Sequence, residues 1–320
     1  MTSDKIATVK AAIYKKYGGP QVIEIVDVEK PTPAQDQVLV EVYAASLNPV
    51  DIGIRAGRFG DSPHLKFPIV AAGNFSGVVS EAGKNVSEFK AGDEVYGQAL
   101  VINGGSGSLA EFCASNNTNT ATKPKTVTHP EAASLPLVGV SALQAIEQHI
   151  DLKPGQQILI HGGAGGIGSI AIQLAKSKGA YVATTVSGDS AAFVKNMGAD
   201  KIIDYQKEDF EKILSGYDAV FNTVRGDVAD KSFKVLKEGG ILVSMTGQPN
   251  PDLAKQYNVS AIAQMTDTNT ENLTRLAKLV DEGIIEPQID KTFPLSAARE
   301  AYEYFESGHP RGKVVVKIKD

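Results

Sequence analysis

A single cysteine, Cys113, occurs in the 320 residues. One thiol cannot close an internal disulfide, and it cannot supply a zinc cage built from several thiolates. Cys113 lies in the strand-like run LAEFCAS with no His, Lys or Arg beside it to stabilise a thiolate, so it reads as a structural thiol. Long hydrophobic runs are missing as well. The uninterrupted apolar stretches, ILI at 158–160 and ILV at 241–243, have strand length and are too short to span a bilayer. The opening MTSDKIATVKAAIYKKYG shows no apolar stretch followed by a small-residue cleavage site, which makes the cytoplasm the expected location. A basic stripe is also lacking. The net charge is −5, with Lys and Arg scattered among Asp and Glu, so nucleic acid is excluded as a partner and small molecules are expected.

What is present describes a folded protein of more than one unit. Hydrophobic residues make up 42% and charged residues 22%, and the chain is longer than one core usually supports. The first third reads as short strands between turns: KAAIYK, VIEIVDV, QVLVEVYAAS, FSGVVSEAG, DEVYGQALV and SLAEFCAS. GGSGS at 104–108 reads there as a flexible loop, a hairpin connection rather than a phosphate cradle. From about Thr128 strands alternate with helical stretches, the rhythm of parallel βαβ units. QQILIHG, AYVATTV, KIID, YDAVFNT, GGILVSM and VSAIAQM are nearly continuous in apolar character, as strands covered on both faces should be. After the amphipathic run TENLTRLAKLVDEG, the tail from Glu286 closes on an alternating strand and is expected to rejoin the first domain. The expected division is 1–127 with 287–320 as one domain and 128–286 as the other. The fold class is α/β, a β-rich domain plus a doubly wound parallel sheet.

The strongest chemical signal is ILIHGGAGGIGSIAIQLAKSKGAYVATTV, in which Gly163, Gly165 and Gly168 fit the spacing G-x-G-x-x-G. The spacing alone is weak, but here it follows an apolar strand, opens a helix with Ile167, Ile170, Ala171 and Leu174 at helical spacing, and is followed by another strand. A dinucleotide site needs this arrangement, because a Cβ would block the tight turn and hold the backbone away from a pyrophosphate at the helix N-terminus. The next strand ends Thr184, Thr185, Val186, Ser187, without the Asp or Glu that holds the ribose hydroxyls of NAD. A carboxylate there would repel a 2′-phosphate, so its absence favours NADPH, with the Ser187 hydroxyl as a donor. Asp189 keeps the alternative open, since a shift of a few residues would make it the ribose ligand.

SLNPVDIGIRAG at 46–57, EFKAGDEVYG at 88–97, LPLVGVSALQAI at 135–146, the HGGAGGIG loop, MGADKIIDY and GHPRGKVVVKI stand in the order found in one known family. The chain resembles the zinc-independent quinone oxidoreductase branch of the medium-chain dehydrogenase/reductase superfamily, essentially end to end. The resemblance implies a GroES-like catalytic domain, an inserted Rossmann domain and an active site in the cleft between them. Zinc-dependent relatives carry a Cys, a Gly-His-Glu and a second Cys where this chain has Asn48, Gly73-Asn74-Phe75 and about Leu137, and their four-cysteine loop is absent.

Without a Lewis acid, hydride transfer to the β-carbon of an enone or to a quinone ring remains, because the delocalised anion is settled by hydrogen bonds and a proton. The implied activity is therefore an NADPH-dependent reductase acting on quinones or α,β-unsaturated carbonyls; the alternative is a non-catalytic dinucleotide-binding protein. The resemblance points to Asn48 of the Asn-x-x-Asp motif as the residue that orients nicotinamide ribose and substrate oxygen. Asn48 equally suits a turn before Pro49, and Asp51 is expected to hold the loop. By the same resemblance Ser141, Gly165, Gly166, Ile167, Ser187, Tyr205 and Thr246 line the dinucleotide, with Val224 near the adenosine ribose; Tyr205 alone also reads as a strand-end aromatic. Some relatives have tyrosines where this chain has Gly53 and Phe59, which leaves the proton donor unassigned, with water as a substitute. No G-x-S-x-G elbow is present, and the five histidines lie in unrelated contexts such as VTHPE and EQHID, which disfavours a hydrolase. VSAIAQM would leave an unpaired apolar edge, and relatives join two sheets there, so a homodimer is expected.

Overall fold

Val38, Val40 and Val42 alternate along the strand Gln37–Ser46, and all three are buried with Phe75, Val79, Val95 and Cys113. That period of two, repeated in neighbouring segments, builds the first of two units. The structure is a computed structural model that describes residues 7–60 and 62–319; the opening segment inspected for an export signal begins in residues 1–6, outside them. The first unit spans residues 1–137, 268–281 and 289–320, and the second 138–267 and 282–288.

The first unit carries a seven-stranded sheet in the order Ile289–Pro294, Lys313–Lys317, Gln37–Ser46, Asn74–Ala82, Glu94–Gln98 and Thr120–Thr122, with Phe112–Asn116 also paired to Gln37–Ser46. A three-stranded sheet, Glu24–Glu29, Thr8–Tyr14 and Ile69–Val70, completes it. This is the GroES-like unit. The segment 104–108 is not the flexible hairpin its glycines suggested. A Cβ on Gly105 would lie 2.3 Å from the Ala99 carbonyl carbon and one on Gly107 2.4 Å from the Val70 carbonyl oxygen, so the loop is wedged against backbone. The strands on either side of it pair with other strands and not with each other.

The helix Thr270–Asp281 also belongs to this first unit, although the rhythm of the sequence groups it with the parallel sheet. Hydrogen bonds explain why. Tyr96 Oη donates to the Leu273 carbonyl at 2.6 Å, Thr270 Oγ1 to the carbonyls of Asn117 and Thr120 at 3.0 and 2.9 Å, and Asp281 accepts from the Lys125 and Thr126 amides at 2.7 and 3.0 Å.

The second unit holds six parallel strands in the order Lys201–Asp204, Tyr181–Val186, Gln157–His161, Tyr217–Asn222, Leu236–Ser244, Ser260–Ala263. Numbered along the chain this is 3-2-1-4-5-6, two mononucleotide-binding halves back to back, the Rossmann arrangement. Ile158, Leu159 and Ile160 are fully buried, as a central strand covered on both faces requires. The helix Gly166–Ser177 packs on it through Ile170, Ala171, Leu174 and Ala175. Among the described residues no helix is long and apolar enough to cross a membrane.

Candidate functional site

The first strand of the parallel sheet ends at His161 and turns through 162–165 into the helix that starts at Gly166. Gly162 takes φ +73°, open to glycine and rarely to other residues. A Cβ on Gly163 would sit 2.1 Å from Thr184 Oγ1, and one on Gly168 2.2 Å from the Gly162 carbonyl oxygen, so the turn itself requires those two. Gly165 differs: its Cβ would meet nothing closer than the Gly162 oxygen at 3.4 Å, an ordinary contact. The fold leaves room there that it does not need for itself. Among the described residues no side chain caps the helix N-terminus, whose first amides have no partner within the helix, a setting for an anion. A pyrophosphate therefore fits these residues.

His161, next to this turn, is not a reactive group. Its Nδ1 lies 2.9 Å from Thr185 Oγ1 and its Nε2 3.0 Å from Ser232 Oγ, and burial holds its pKa down to about 3, so the ring is neutral and structural.

The other residues expected at a dinucleotide gather at the same edge of the sheet, where the strands end. Ser187 follows the strand Tyr181–Val186, Tyr205 follows Lys201–Asp204, Val224 follows Tyr217–Asn222, and Thr246 follows Leu236–Ser244. Val224 and Thr246 are joined through a residue the sequence did not single out. Asn222, fully buried, donates from Nδ2 to the Val224 carbonyl at 3.0 Å and to Thr246 Oγ1 at 3.2 Å, and its Oδ1 accepts from the Val224 amide at 3.2 Å. Ser141 stands apart, on the helix Pro136–Leu143, with its Oγ 2.7 Å from Thr266 Oγ1 beyond the last strand.

The second strand ends without a carboxylate in its own run, but one arrives from the neighbouring strand. Val186 pairs in parallel register with Asp204. A Cβ on Gly188 would lie 2.7 Å from Asp204 Oδ2 and 3.6 Å from Lys207 Nζ. Lys207 Nζ is 3.0 Å from that carboxylate, and this contact is the main reason the Asp204 carboxyl is held below its ordinary value. Asp189 is exposed in the short turn Gly188–Ser190. The Ser187 surroundings thus contain an ammonium as well as the two acids.

In the first unit, Asn48 precedes the helix Pro49–Arg55. The turn is closed by Asp51, whose Oδ2 accepts from the Asn48 amide at 2.7 Å, and by the Asp51 amide donating to the Asn48 carbonyl at 3.0 Å. The Asn48 side chain completes a capping box with Asp51, and its Oδ1 also accepts from Lys313 Nζ at 2.5 Å. Lys313 also donates to the Leu47 carbonyl. Asn48 Nδ2, Asp51 Oδ1 and Arg55 Nη1 are buried and have no hydrogen-bond partner among the described residues. Burial pushes the Asp51 carboxyl up, opposed by the Asn48 amide and Lys313; it pushes the Lys313 ammonium down, opposed by Asp51. Sequence reasoning missed Lys313, whose signal is a lone charge opening the apolar strand KVVVK. At the positions compared with zinc ligands, Asn74 is an amide that accepts from Gln98 Nε2 at 3.2 Å and donates to Ser46 Oγ at 3.4 Å. Among the described residues no three His, Cys, Asp or Glu side chains gather as a metal ion would need.

Comparison with known proteins agrees with this architecture. Residues 34–131 match the alcohol dehydrogenase GroES-like domain, and residues 197–316 match a family model described as zinc-binding dehydrogenase. The chain is 37% identical to an NADPH-dependent alkenal/one oxidoreductase, chloroplastic, of Arabidopsis thaliana, over 96% of this chain and 79% of that protein. It is similar to the solved quinone oxidoreductase of Coxiella burnetii, with a TM-score of 0.90 at 37% identity over 98% of this chain and all of that one. Quinone oxidoreductase of Escherichia coli complexed with NADPH superposes with a TM-score of 0.86 at 26% identity, covering 97% of this chain and 100% of that one. With the glycine turn, the sheet order and this extent of likeness together, the chain belongs to the quinone oxidoreductase branch of the medium-chain dehydrogenase/reductase superfamily.

Proposed function

We propose that this protein is an NADPH-dependent reductase that passes hydride to quinones or α,β-unsaturated carbonyls without zinc. The observation that carries the reading is Gly165, which leaves space beside uncapped helix amides that the fold does not itself use. The relatives named for alkenal and quinone reduction, and the one complexed with NADPH, support the same assignment and speak against a purely structural role.

When bound, the dinucleotide supplies the hydride. The amides of Gly166, Ile167 and Gly168 would receive its pyrophosphate, with Gly165 keeping the approach clear and Gly163 and Gly168 allowing the tight turn. Ser187 and the Lys207 ammonium would receive the 2′-phosphate, Tyr205 and Val224 would flank the adenosine, and Thr246 and Ser141 would bind toward the nicotinamide half. Asn48 Nδ2 donates to the substrate oxygen, where negative charge develops. Water supplies the proton. Zinc has no place in the scheme, because an amide, a Gly-Asn-Phe run and a leucine stand where relatives have its ligands. We also infer a homodimer joined through Ser260–Ala263, since this strand is one of the two end strands of the sheet and Met265 just beyond it is 89% exposed.

The test is NADPH oxidation with 2-alkenals and with quinones after prolonged treatment with a strong chelator. Undiminished turnover with either class is expected. Loss of activity restored by stoichiometric zinc, or no turnover with any electrophile, would overturn the reading.

A further inference from the structure

Asn48 offers two chemically opposite faces, a carbonyl oxygen that accepts and an NH2 that donates. Its usefulness to a developing oxyanion depends on which face is presented, and a free amide could turn either way. We propose that Lys313 is a positioning residue that fixes this choice, binding the Asn48 carbonyl oxygen so that Nδ2 is held as the donor toward the substrate oxygen. The inference rests on the reading of Asn48 given above.

Three observations support it. Lys313 Nζ meets Asn48 Oδ1 at 2.5 Å, a charge-assisted contact between side chains 5% and 1% exposed. An amide turned by half a revolution would set its NH2 against the Lys313 ammonium, two donors with no acceptor between them. The ammonium itself cannot drift: it also donates to the Leu47 carbonyl, and the Leu47 amide donates to the Val314 carbonyl at 3.1 Å, tying the two segments together beside the contact.

The structural task of Asn48 uses its oxygen and not its NH2. Asp51 closes the helix turn from its own side chain, and the Asn48 side-chain oxygen faces the Asp51 amide in the same capping box, so both the cap and Lys313 hold the carbonyl face of Asn48. Nδ2 is left buried without a hydrogen-bond partner among the described residues, a donor open to a ligand oxygen. Burial lowers the Lys313 ammonium and the Asp51 carboxylate opposes that effect, and in either protonation state Lys313 Nζ carries a hydrogen for Asn48 Oδ1.

Replacing Lys313 alone would leave Asp51 buried and uncompensated, so the reference chain is Asp51→Asn, in which Lys313 still donates to Asn48 Oδ1 as an amine, and that chain is itself first compared with the parent. The asparagine keeps an oxygen for the Asn48 amide. Lys313→Met, Asn48→Ala and both together are added to that chain. For each, kcat/KM is measured with a 2-alkenal, and NADPH affinity is read from nicotinamide fluorescence, which is clean in a chain with no tryptophan. Lys313→Met should lower kcat/KM roughly a hundredfold, the size of losing one oxyanion donor, while NADPH Kd changes by less than about twofold. The chain with both changes should be no worse than the one with Asn48→Ala. Losses that multiply, or full activity in the Lys313→Met chain, would overturn the role of Lys313. Full activity in the Asn48→Ala chain would instead remove the reading of Asn48 on which it rests.

Discussion

Gly165 and Gly168 look alike in the sequence motif and differ in what they touch. An added Cβ at Gly168 would be 2.2 Å from the Gly162 carbonyl oxygen, so Gly168→Ala must move backbone. Overpacking of that kind costs about 1–3 kcal/mol and should lower the melting temperature by several degrees. Gly165→Ala meets only an ordinary contact and should melt like the parent, yet bind NADPH roughly tenfold more weakly because the methyl occupies the ligand's space. Thermal melts beside a fluorescence titration separate the two; a Gly165→Ala chain that binds normally would remove the cradle. At the adenosine end, Ser187→Ala and Lys207→Ala should each cut kcat/KM with NADPH and leave NADH nearly untouched. Each contact to the phosphate is charge-assisted and worth roughly tenfold. A parent enzyme that prefers NADH would show that Asp189 or Asp204 faces the ribose.

At the scale of elements, the strand Gln157–His161 ends on a group that ties stability to pH. An unfolded His titrates near 6.5, whereas His161 is held down to about 3 by burial. Below pH 6.5 the unfolded chain therefore takes up a proton that the folded chain refuses. The contribution is complete above that pH and is lost as pH falls, by about 2 kcal/mol at pH 5. Urea unfolding of the parent and of His161→Gln should show a shallower acid limb in the variant; parallel limbs would mean the ring takes a proton while folded. The six parallel strands were legible because each is a short apolar run bounded by turn residues, and the glycine turn because its spacing sat between strand and helix. Other features were not. The pattern of Thr270–Asp281 shows that one face is buried but not against what, and only long-range bonds to Tyr96, Asn117 and Lys125 settle it. Asp204 reaches Gly188 by parallel register across two strands, and Lys313 reaches Asn48 across 265 residues of chain. No local pattern encodes either contact.

At the scale of the whole molecule, the end strand Ser260–Ala263 predicts a dimer at micromolar concentration by sedimentation, and a monomer would contradict the proposed joining of sheets. The central claim concerns the reaction. A reductase with Asn48 Nδ2 as its donor and no metal should add hydride conjugately, stabilising the enolate rather than the alkoxide that direct carbonyl reduction forms. The most direct measurement follows the label from NADPH carrying deuterium at C4 of the nicotinamide into an enone, with chelator present, by NMR of the product. The account predicts deuterium at the β-carbon of a saturated ketone. Deuterium at the carbonyl carbon of an allylic alcohol, or no transfer to any enone or quinone, would contradict it.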